Sequence, residues 1–216
     1  MSVRQLVIVL FLALLSACAP IATQGVTTLD FQPAAEDEAP IAAGTLLPTQ
    51  RVPRNRLMSI AAAFEKAPNG SPILACYRKA RVDNFWGPCS HITRKLSADR
   101  IIDTVGDTPL EAKVGIFPAK RLERYYYAII VLDAGQRGDD LPVLEREAER
   151  LRGSPFGLGS QPGYYYCTSL QNDLERAAGR GDLVGRHPIF GLAMPADVLL
   201  QPRVKVLYVG VDPSKQ

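Results

Sequence analysis

The amino-acid sequence predicts an α+β domain with a mostly antiparallel sheet flanked by helices. Short runs rich in β-branched and aromatic residues follow one another through the middle of the chain, from about residue 71 to residue 135. Segments with helical spacing of apolar residues stand near both ends of this run. With 216 residues, of which 47% are hydrophobic, the chain is long enough for one domain with its own core.

The first helix is predicted over residues 55–67, because its apolar residues share one face and Pro68-Asn69-Gly70 follows. Residues 71–96 favour two strands joined by a turn near Val82-Asp83. Three further strands are predicted in the runs DRIIDTVG (99–106), AKVGIF (112–117) and RYYYAIIVLDAG (124–135).

Two later helices are predicted from their end signals and apolar stripes. Asp139-Asp140, followed by a proline, begins one helix, which ends at Gly153. The other runs from Cys167 to Gly179 with its leucines on one face. The run RVKVLYVGV (203–211) is predicted to be the closing strand.

The first 17 residues have the layout of a secretory signal peptide. Arg4 is followed by an apolar run from Leu6 to Leu15 and then by small residues. This run is too short to cross a bilayer with normal flanks. A membrane anchor that is never cleaved is the alternative interpretation of the same segment.

Leu15-Ser16-Ala17-Cys18 resembles a bacterial lipobox, in which the cysteine is lipidated and becomes the mature N-terminus. A diacylglycerol group with an amide-linked acyl chain, such as palmitate, would give stable attachment to a membrane. Ala19 stands where lipoproteins of the inner membrane typically carry aspartate. The resemblance therefore implies the outer membrane of a bacterial envelope, with the domain facing the periplasm.

Residues 18–50 are predicted to form the lipidated N-terminus and a flexible tether. Four prolines interrupt them, and no helical or strand period persists. A flexible coil of this length would span about 30 Å. The folded domain is accordingly predicted to cover residues 51–216.

Composition argues against several other classes of function. The formal net charge is +3 and the basic residues are scattered, so we expect no nucleic-acid partner. The two histidines stand far apart and no Cys-x-x-Cys spacing occurs, so no metal site is predicted. The sequence also lacks a glycine-rich phosphate-binding loop, and we expect no cofactor.

Cys76, Cys89 and Cys167 remain once Cys18 carries lipid. Cys76 and Cys89 lie equally far from the predicted turn, which would put them opposite each other on adjacent strands of an oxidising-compartment protein. A Cys76–Cys89 disulfide is therefore one prediction, and two free buried thiols on strands are the alternative.

Cys167 is the thiol left over, and it stands at the predicted start of a helix. Unpaired N–H groups there favour a thiolate and can donate to an oxyanion. A packed, unreactive thiol is the alternative, since free cysteine is among the most buried residue types.

A nucleophilic cysteine needs a base. His187 is predicted to serve at the surface or in packing, whereas His91 lies on a predicted strand. Asp103 interrupts the next apolar strand, where it would either face solvent or accept the imidazole N–H as the third member of a triad.

Together these motifs resemble the circularly permuted NlpC-like papain-fold cysteine hydrolases, the YaeF/YiiX-like group. Ser90-His91 on a strand, an acid on the next strand and the sequence YYYC (164–167) at a helix start follow the order of that family, in which the histidine precedes the cysteine. The stretches AKVGIFPAKRLERYYYAIIVLD (112–133) and GLAMPADVLLQPRVKVLYVG (191–210) are similar to its later segments, so the resemblance covers residues 59–211.

The resemblance implies a papain-like fold with Cys167 as nucleophile, His91 as general base and Asp103 as the orienting group. The backbone N–H of Cys167 would supply part of an oxyanion hole. The implied reaction is hydrolysis of an amide or ester through a covalent acyl-enzyme. Murein peptides, acylated lipids and lipoproteins are substrates compatible with a membrane anchor.

Two other functions remain open at this stage. Thr168-Ser169 stands where the family usually has Ser-Glu, and Gly70-Ser71-Pro72 replaces its usual Gly-Asp. These departures motivate a catalytically inactive envelope lipoprotein that serves as a binding or assembly factor. An acyltransferase would use the same residues and differ only in the group that resolves the acyl-enzyme.

Overall fold

The computed structural model of the chain describes residues 21–23, 25–35, 41–80, 86–106, 111–158, 161–187 and 191–215. The predicted signal peptide, Cys18 and the predicted turn at Val82-Asp83 lie outside these residues. Across the described ranges, no helix has both the length and the apolar character needed to cross a membrane.

Within the described residues, nine strands form two sheets in an α+β fold. Two short strands, β1 (Gln32–Pro33) and β2 (Arg51–Val52), make a parallel pair of their own. The other seven form one sheet: β3 (Leu57–Ser59), β4 (Pro72–Cys76), β5 (His91–Lys95), β6 (Arg100–Val105), β7 (Lys113–Pro118), β8 (Ala128–Asp133) and β9 (Lys205–Val211).

The strand order of the large sheet is β3-β9-β8-β4-β5-β6-β7. The short β3 pairs in parallel with β9, and the remaining pairings are antiparallel. The predicted α+β class with a mostly antiparallel sheet is confirmed.

In the part of the chain that the structure describes, five α-helices accompany the sheets: α1 (Ala43–Thr49), α2 (Ile60–Lys66), α3 (Lys120–Tyr125), α4 (Leu141–Leu151) and α5 (Cys167–Ala177). The first helix predicted from the sequence is shorter than expected. Residues 57–59 pair with β9 instead of coiling, and the Ser59 hydroxyl accepts the Ala62 N–H at 3.2 Å to begin α2.

Helices cover both faces of the large sheet. Along β4 and β8, alternate side chains point to opposite faces, as the pleat requires. One face packs Ile73 and Ile129 against α2 and α3. Farther along the sheet, toward β6 and β7, Leu170 of α5 packs with α4 over Ile102. The sheet is therefore an inner layer, which fixes the position of any side chain at a strand end.

The prediction of a flexible tether over residues 18–50 is wrong for the described part of that segment. Leu29, Phe31, Leu46 and Leu47 are at most 4% exposed and belong to the main core cluster. Burying a leucine or phenylalanine side chain stabilises a fold by about 1.5–3 kcal/mol. That gain offsets the entropy of ordering a proline-containing chain, so the folded unit begins well before residue 51.

Backbone hydrogen bonds hold the same segment against the domain. The Leu29 N–H donates to the Arg78 carbonyl at 2.7 Å, and the Ala80 N–H donates to the Thr27 carbonyl at 2.8 Å. The Phe31 ring stacks on Tyr127, whose hydroxyl accepts the Phe31 N–H at 3.2 Å. The segment is therefore an integral part of the fold.

Candidate functional site

Three side chains singled out from the sequence come from three elements of the large sheet and its helices. His91 is the first residue of β5, Asp103 lies in the middle of β6, and Cys167 is the first residue of α5. Lys95 pairs with Ile101 across β5 and β6. Because side chains alternate along a strand, His91 and Asp103 share the same face of the sheet.

His91 and Asp103 form a direct ion-pair contact. The Nε2 atom of His91 lies 2.9 Å from the Asp103 carboxylate. The carboxylate is buried, at 2% exposure, and also accepts the Thr104 N–H at 2.7 Å. Since Nε2 is bound to the acid, Nδ1 is the ring nitrogen left to face other groups.

The Cys167 side chain lies near enough to the His91 ring to act on its pKa. Burial lowers the pKa of His91, but the Asp103 carboxylate and hydrogen bonds with Asp103 and Cys167 raise it well above 6.5 overall. The Asp103 carboxylate therefore favours the protonated form of the imidazole.

Tyr126 covers the imidazole. Its ring is stacked on His91 with centroids 5.8 Å apart and planes inclined by 7°, and it is tilted against Tyr77. Burial raises the pKa of Tyr126 well above 10, with further contributions from Tyr77, Asp103 and Cys167. The phenol therefore stays neutral, and its ring limits the orientations that the imidazole can take.

Cys167 occupies a packed helix start. It is 6% exposed, and its sulfur lies 3.8 Å from the Thr168 hydroxyl. The Ser169 hydroxyl accepts the Tyr166 N–H at 3.0 Å and so contributes to the cap of the helix. The Thr168-Ser169 departure from the family pattern thus has a structural role, and it removes none of the three candidate groups.

Tyr166 fixes the chain immediately before the thiol. Its hydroxyl accepts the Ala193 N–H at 2.9 Å, and its ring meets Trp86 edge-on with centroids 5.7 Å apart. Tyr166 and both of these partners, Ala193 and Trp86, are buried. The backbone that presents Cys167 is therefore held on each side.

Cys76 and Cys89 are joined by a disulfide in the structure, with Cα atoms 4.0 Å apart. Within the described residues Cys167 is then the only free cysteine. The bridge ties the end of β4 to a residue two positions before His91. It therefore limits the movement of the chain that leads into the histidine.

Sequence reasoning missed a buried ionic group beside these residues. Arg94 is fully buried on β5, where it donates to Glu175 at 2.7 Å, to Gln171 at 2.9 Å and to the Gly70 carbonyl at 2.9 Å. Gln171 and Glu175 follow Cys167 at intervals of four residues, so they lie on one face of α5. This spacing, opposite an arginine inside a strand, was the available signal.

Glu175 also forms ion pairs with two further arginines, Arg180 at 2.7 Å and Arg203 at 3.3 Å. We call Arg94, Gln171, Glu175 and Arg180 the arginine–glutamate cluster. It joins the strand that carries His91 to the helix that carries Cys167. The distance between base and thiol is therefore set by buried charged contacts as well as by apolar packing.

His187, the other histidine, is buried in the loop after α5, and its backbone bonds to Leu192. In the described residues, no group of three or more His, Cys, Asp or Glu side chains is placed to bind a metal ion. A surface cavity of about 390 Å³ lies between α2 and α3 and includes none of the three candidate residues.

Comparison with models of known protein families found no match, and no curated protein is significantly similar to the chain. The chemistry of this site is therefore argued from its own geometry.

Proposed function

We propose that this chain is a lipid-anchored cysteine hydrolase of the bacterial envelope with a permuted papain-like fold. The observation that carries the proposal is the position of His91, which is bound to Asp103 and lies close enough to the free Cys167 at a helix start for the thiol to act on its pKa. A thiol, a base and an acid that orients the base are the groups that acyl transfer through cysteine requires.

In the first proposed step, Cys167 attacks the carbonyl carbon of an amide or ester as a thiolate. A sulfur–carbon bond forms while the carbonyl π electrons move to oxygen, and the Cys167 backbone N–H donates to that oxyanion. His91, as imidazolium, gives its proton to the departing nitrogen or oxygen as the carbon–heteroatom bond breaks. The products are a thioester on Cys167 and the free amine or alcohol.

In the second step, neutral His91 takes a proton from water while the hydroxide adds to the thioester carbon. The tetrahedral intermediate collapses, the sulfur leaves as a thiolate and the carboxylic acid is released. Asp103 holds Nε2 throughout, so Nδ1 performs both proton transfers. An acyl acceptor other than water would make the same site a transferase.

The anchor is proposed from the N-terminal sequence. The signal peptide over residues 1–17 and lipidation at Cys18 would attach the protein to a membrane, and Ala19 favours the outer membrane. Substrates within reach of such an anchor are murein peptides, acylated lipids and lipoproteins. We propose one of these amide- or ester-containing classes.

The test is the reactivity of Cys167 in a chain that begins at Ala19, one residue after the predicted mature N-terminus at Cys18. We expect an activated p-nitrophenyl ester to give a burst of nitrophenol and a single acyl group on Cys167, read by mass spectrometry. His91→Ala should slow both this acylation and alkylation by iodoacetamide by about tenfold or more, equivalent to about 1.4 kcal/mol.

His187→Gln is the matched control, because it removes the other histidine. Its rates should equal those of the unaltered protein once circular dichroism shows the same fold. Two results together would contradict the proposal: no acyl group forms on Cys167, and His91→Ala is alkylated at the same rate as the unaltered protein. They would indicate a packed thiol and favour the alternative of a binding or assembly factor.

A further inference from the structure

The first described residues of the chain are fastened to the domain by Asp197. Ile21–Thr23 form a short 3₁₀ helix that lies against a second one, Pro195–Leu200. The Ala22 N–H donates to Asp197 Oδ1 at 2.9 Å, and both groups are buried. We call this hydrogen bond the Asp197 contact.

Close packing reinforces the Asp197 contact one residue farther on. Thr23 is 3% exposed, and a Cβ added to Gly87 would lie 2.6 Å from the Thr23 hydroxyl oxygen. Gly87 also has a φ of 74°, which favours glycine. The neighbouring residue Trp86 contacts Tyr166, so the fastened N-terminus and the start of α5 belong to one core.

The position of the Asp197 contact along the chain sets a short reach. Cys18 and Ile21 are three residues apart, and an extended chain of three residues spans about 10 Å. A free tether up to residue 50 would instead have allowed about 30 Å. If Cys18 carries lipid, the surface around Ile21 lies within about 10 Å of the lipid attachment point.

That surface carries exposed apolar side chains. Ile21 is 51% exposed and Leu200 is 39% exposed, and they belong to the two 3₁₀ helices that meet at Asp197. Large apolar side chains at the point where a lipidated chain enters its domain match the chemistry of a membrane interface.

We propose that the Asp197 contact holds the folded domain directly on the lipid surface, with Ile21 and Leu200 facing the bilayer. This inference rests on the proposed lipidation of Cys18 and is independent of the proposed hydrolase chemistry. A domain held in this way would reach only those substrate amide or ester bonds that lie close to the membrane surface.

Trp86 is the only tryptophan of the chain, and its neighbour Gly87 packs against Thr23, so Trp86 reports the distance to the membrane. The experiment uses the full-length protein matured in a bacterial host, with the mass of the Cys18 peptide measured first. The purified protein is reconstituted into phosphatidylethanolamine–phosphatidylglycerol vesicles that contain dansyl-phosphatidylethanolamine. Energy transfer from Trp86 to the dansyl group is the readout.

We expect strong transfer in the unaltered protein. Inserting twenty Gly-Ser residues between Pro20 and Ile21 leaves the Asp197 contact intact but adds about 25 Å of reach, so transfer should fall about twofold or more. Asp197→Ala should also lower transfer, whereas Asp212→Ala should not, because that exposed carboxylate bonds only locally, to Ser214.

Equal transfer in the unaltered and the Gly-Ser variants would overturn the inference while leaving the lipid anchor standing. A Cys18 peptide without lipid mass would overturn both the anchor and the inference. Neither result bears on acylation of Cys167, which is measured separately.

Discussion

Strand β5 carries two cationic side chains that each meet a carboxylate in a different setting. The side chains of His91 and Asp103 are 15% and 3% exposed, whereas those of Arg94 and Glu175 are both fully buried. The two positions are three residues apart, so they point to opposite faces of the strand. Strand β5 therefore carries the titratable His91–Asp103 pair on one face, near Cys167. On the other face it carries Arg94, whose pair with Glu175 of α5 stays charged.

The difference between the two pairs suits one of them to proton transfer and the other to holding the strand and helix in place. An imidazole can exchange a proton near neutral pH, and the His91 side chain is partly exposed. A guanidinium stays charged, and full burial makes its contacts with Gln171 and Glu175 difficult to rearrange. We infer that Arg94 keeps β5 and α5 at a fixed spacing, and that His91 acts within that spacing.

The largest expected effect comes from breaking the buried pair. Arg94→Met should lower the free energy of unfolding by about 3 kcal/mol or more, because it leaves Glu175 buried with weaker partners. Urea denaturation followed by Trp86 fluorescence measures this loss. Alkylation of Cys167 should change as well, since the strand and helix lose their fixed spacing.

Arg150→Met is the control for that prediction. Arg150 pairs with Glu147 on α4, and its side chain is 62% exposed. Removing an exposed pair should cost less than about 1 kcal/mol. Similar losses in the two variants would mean that the arginine–glutamate cluster contributes no more than a surface ion pair.

Sequence reasoning missed the arginine–glutamate cluster, whereas it found the titratable pair. A histidine on a strand and an acid in an apolar strand are weak signals singly, and the choice of His91 and Asp103 rests on an order of residues that resembles the permuted papain-fold family. Arg94 alternates with Ile92 and Leu96, and Gln171 and Glu175 follow Cys167 at intervals of four residues, but neither pattern says that the strand and the helix meet. The burial of Arg94 depends on α5 packing against β5, which is a long-range contact.

The N-terminal segment is a second region whose packing local sequence patterns did not predict. Its prolines and mixed composition favour a tether, and its buried side chains Leu29 and Phe31, two residues apart, are too few to establish a strand period. They pack because the domain offers Tyr127 and the backbone of residues 78–80 as partners. Periodicity finds elements that repeat, so it identified the sheet and α5 but not this irregular segment.

The next largest effect is a pH dependence of opposite sign for the two pairs. The folded-state pKa of His91 is raised by Asp103 and Cys167 against the effect of burial. Its stabilising contribution is therefore complete below the unfolded-state pKa of about 6.5 and is lost as pH rises through the higher folded-state pKa. Each unit of difference contributes about 1.4 kcal/mol.

For Glu175, burial raises the pKa, but Arg94 and Arg180 lower it below its usual value overall. Its contribution is present above about pH 4.5 and is lost as pH falls through the lower folded-state pKa. The difference in unfolding free energy between the unaltered protein and His91→Ala should shrink toward alkaline pH. The corresponding difference for Glu175→Gln should shrink toward acid pH. A single shared pH trend for the two variants would contradict this assignment.

The smallest expected effect concerns the ring that covers the imidazole. Tyr126→Leu removes the stacked ring and should slow alkylation of Cys167 by about two- to tenfold, since aromatic pairs contribute about 0.5–1.5 kcal/mol. Tyr126→Phe keeps the ring and loses only the hydroxyl that faces Tyr77, so its rate should stay near that of the unaltered protein.

Equal slowing in the two variants would assign the effect to the hydroxyl. A normal rate in Tyr126→Leu would mean that the Asp103 bond alone orients His91. The slowing should also be smaller in the His91→Ala background, because part of the effect of Tyr126 on the thiol passes through the imidazole on which it is stacked.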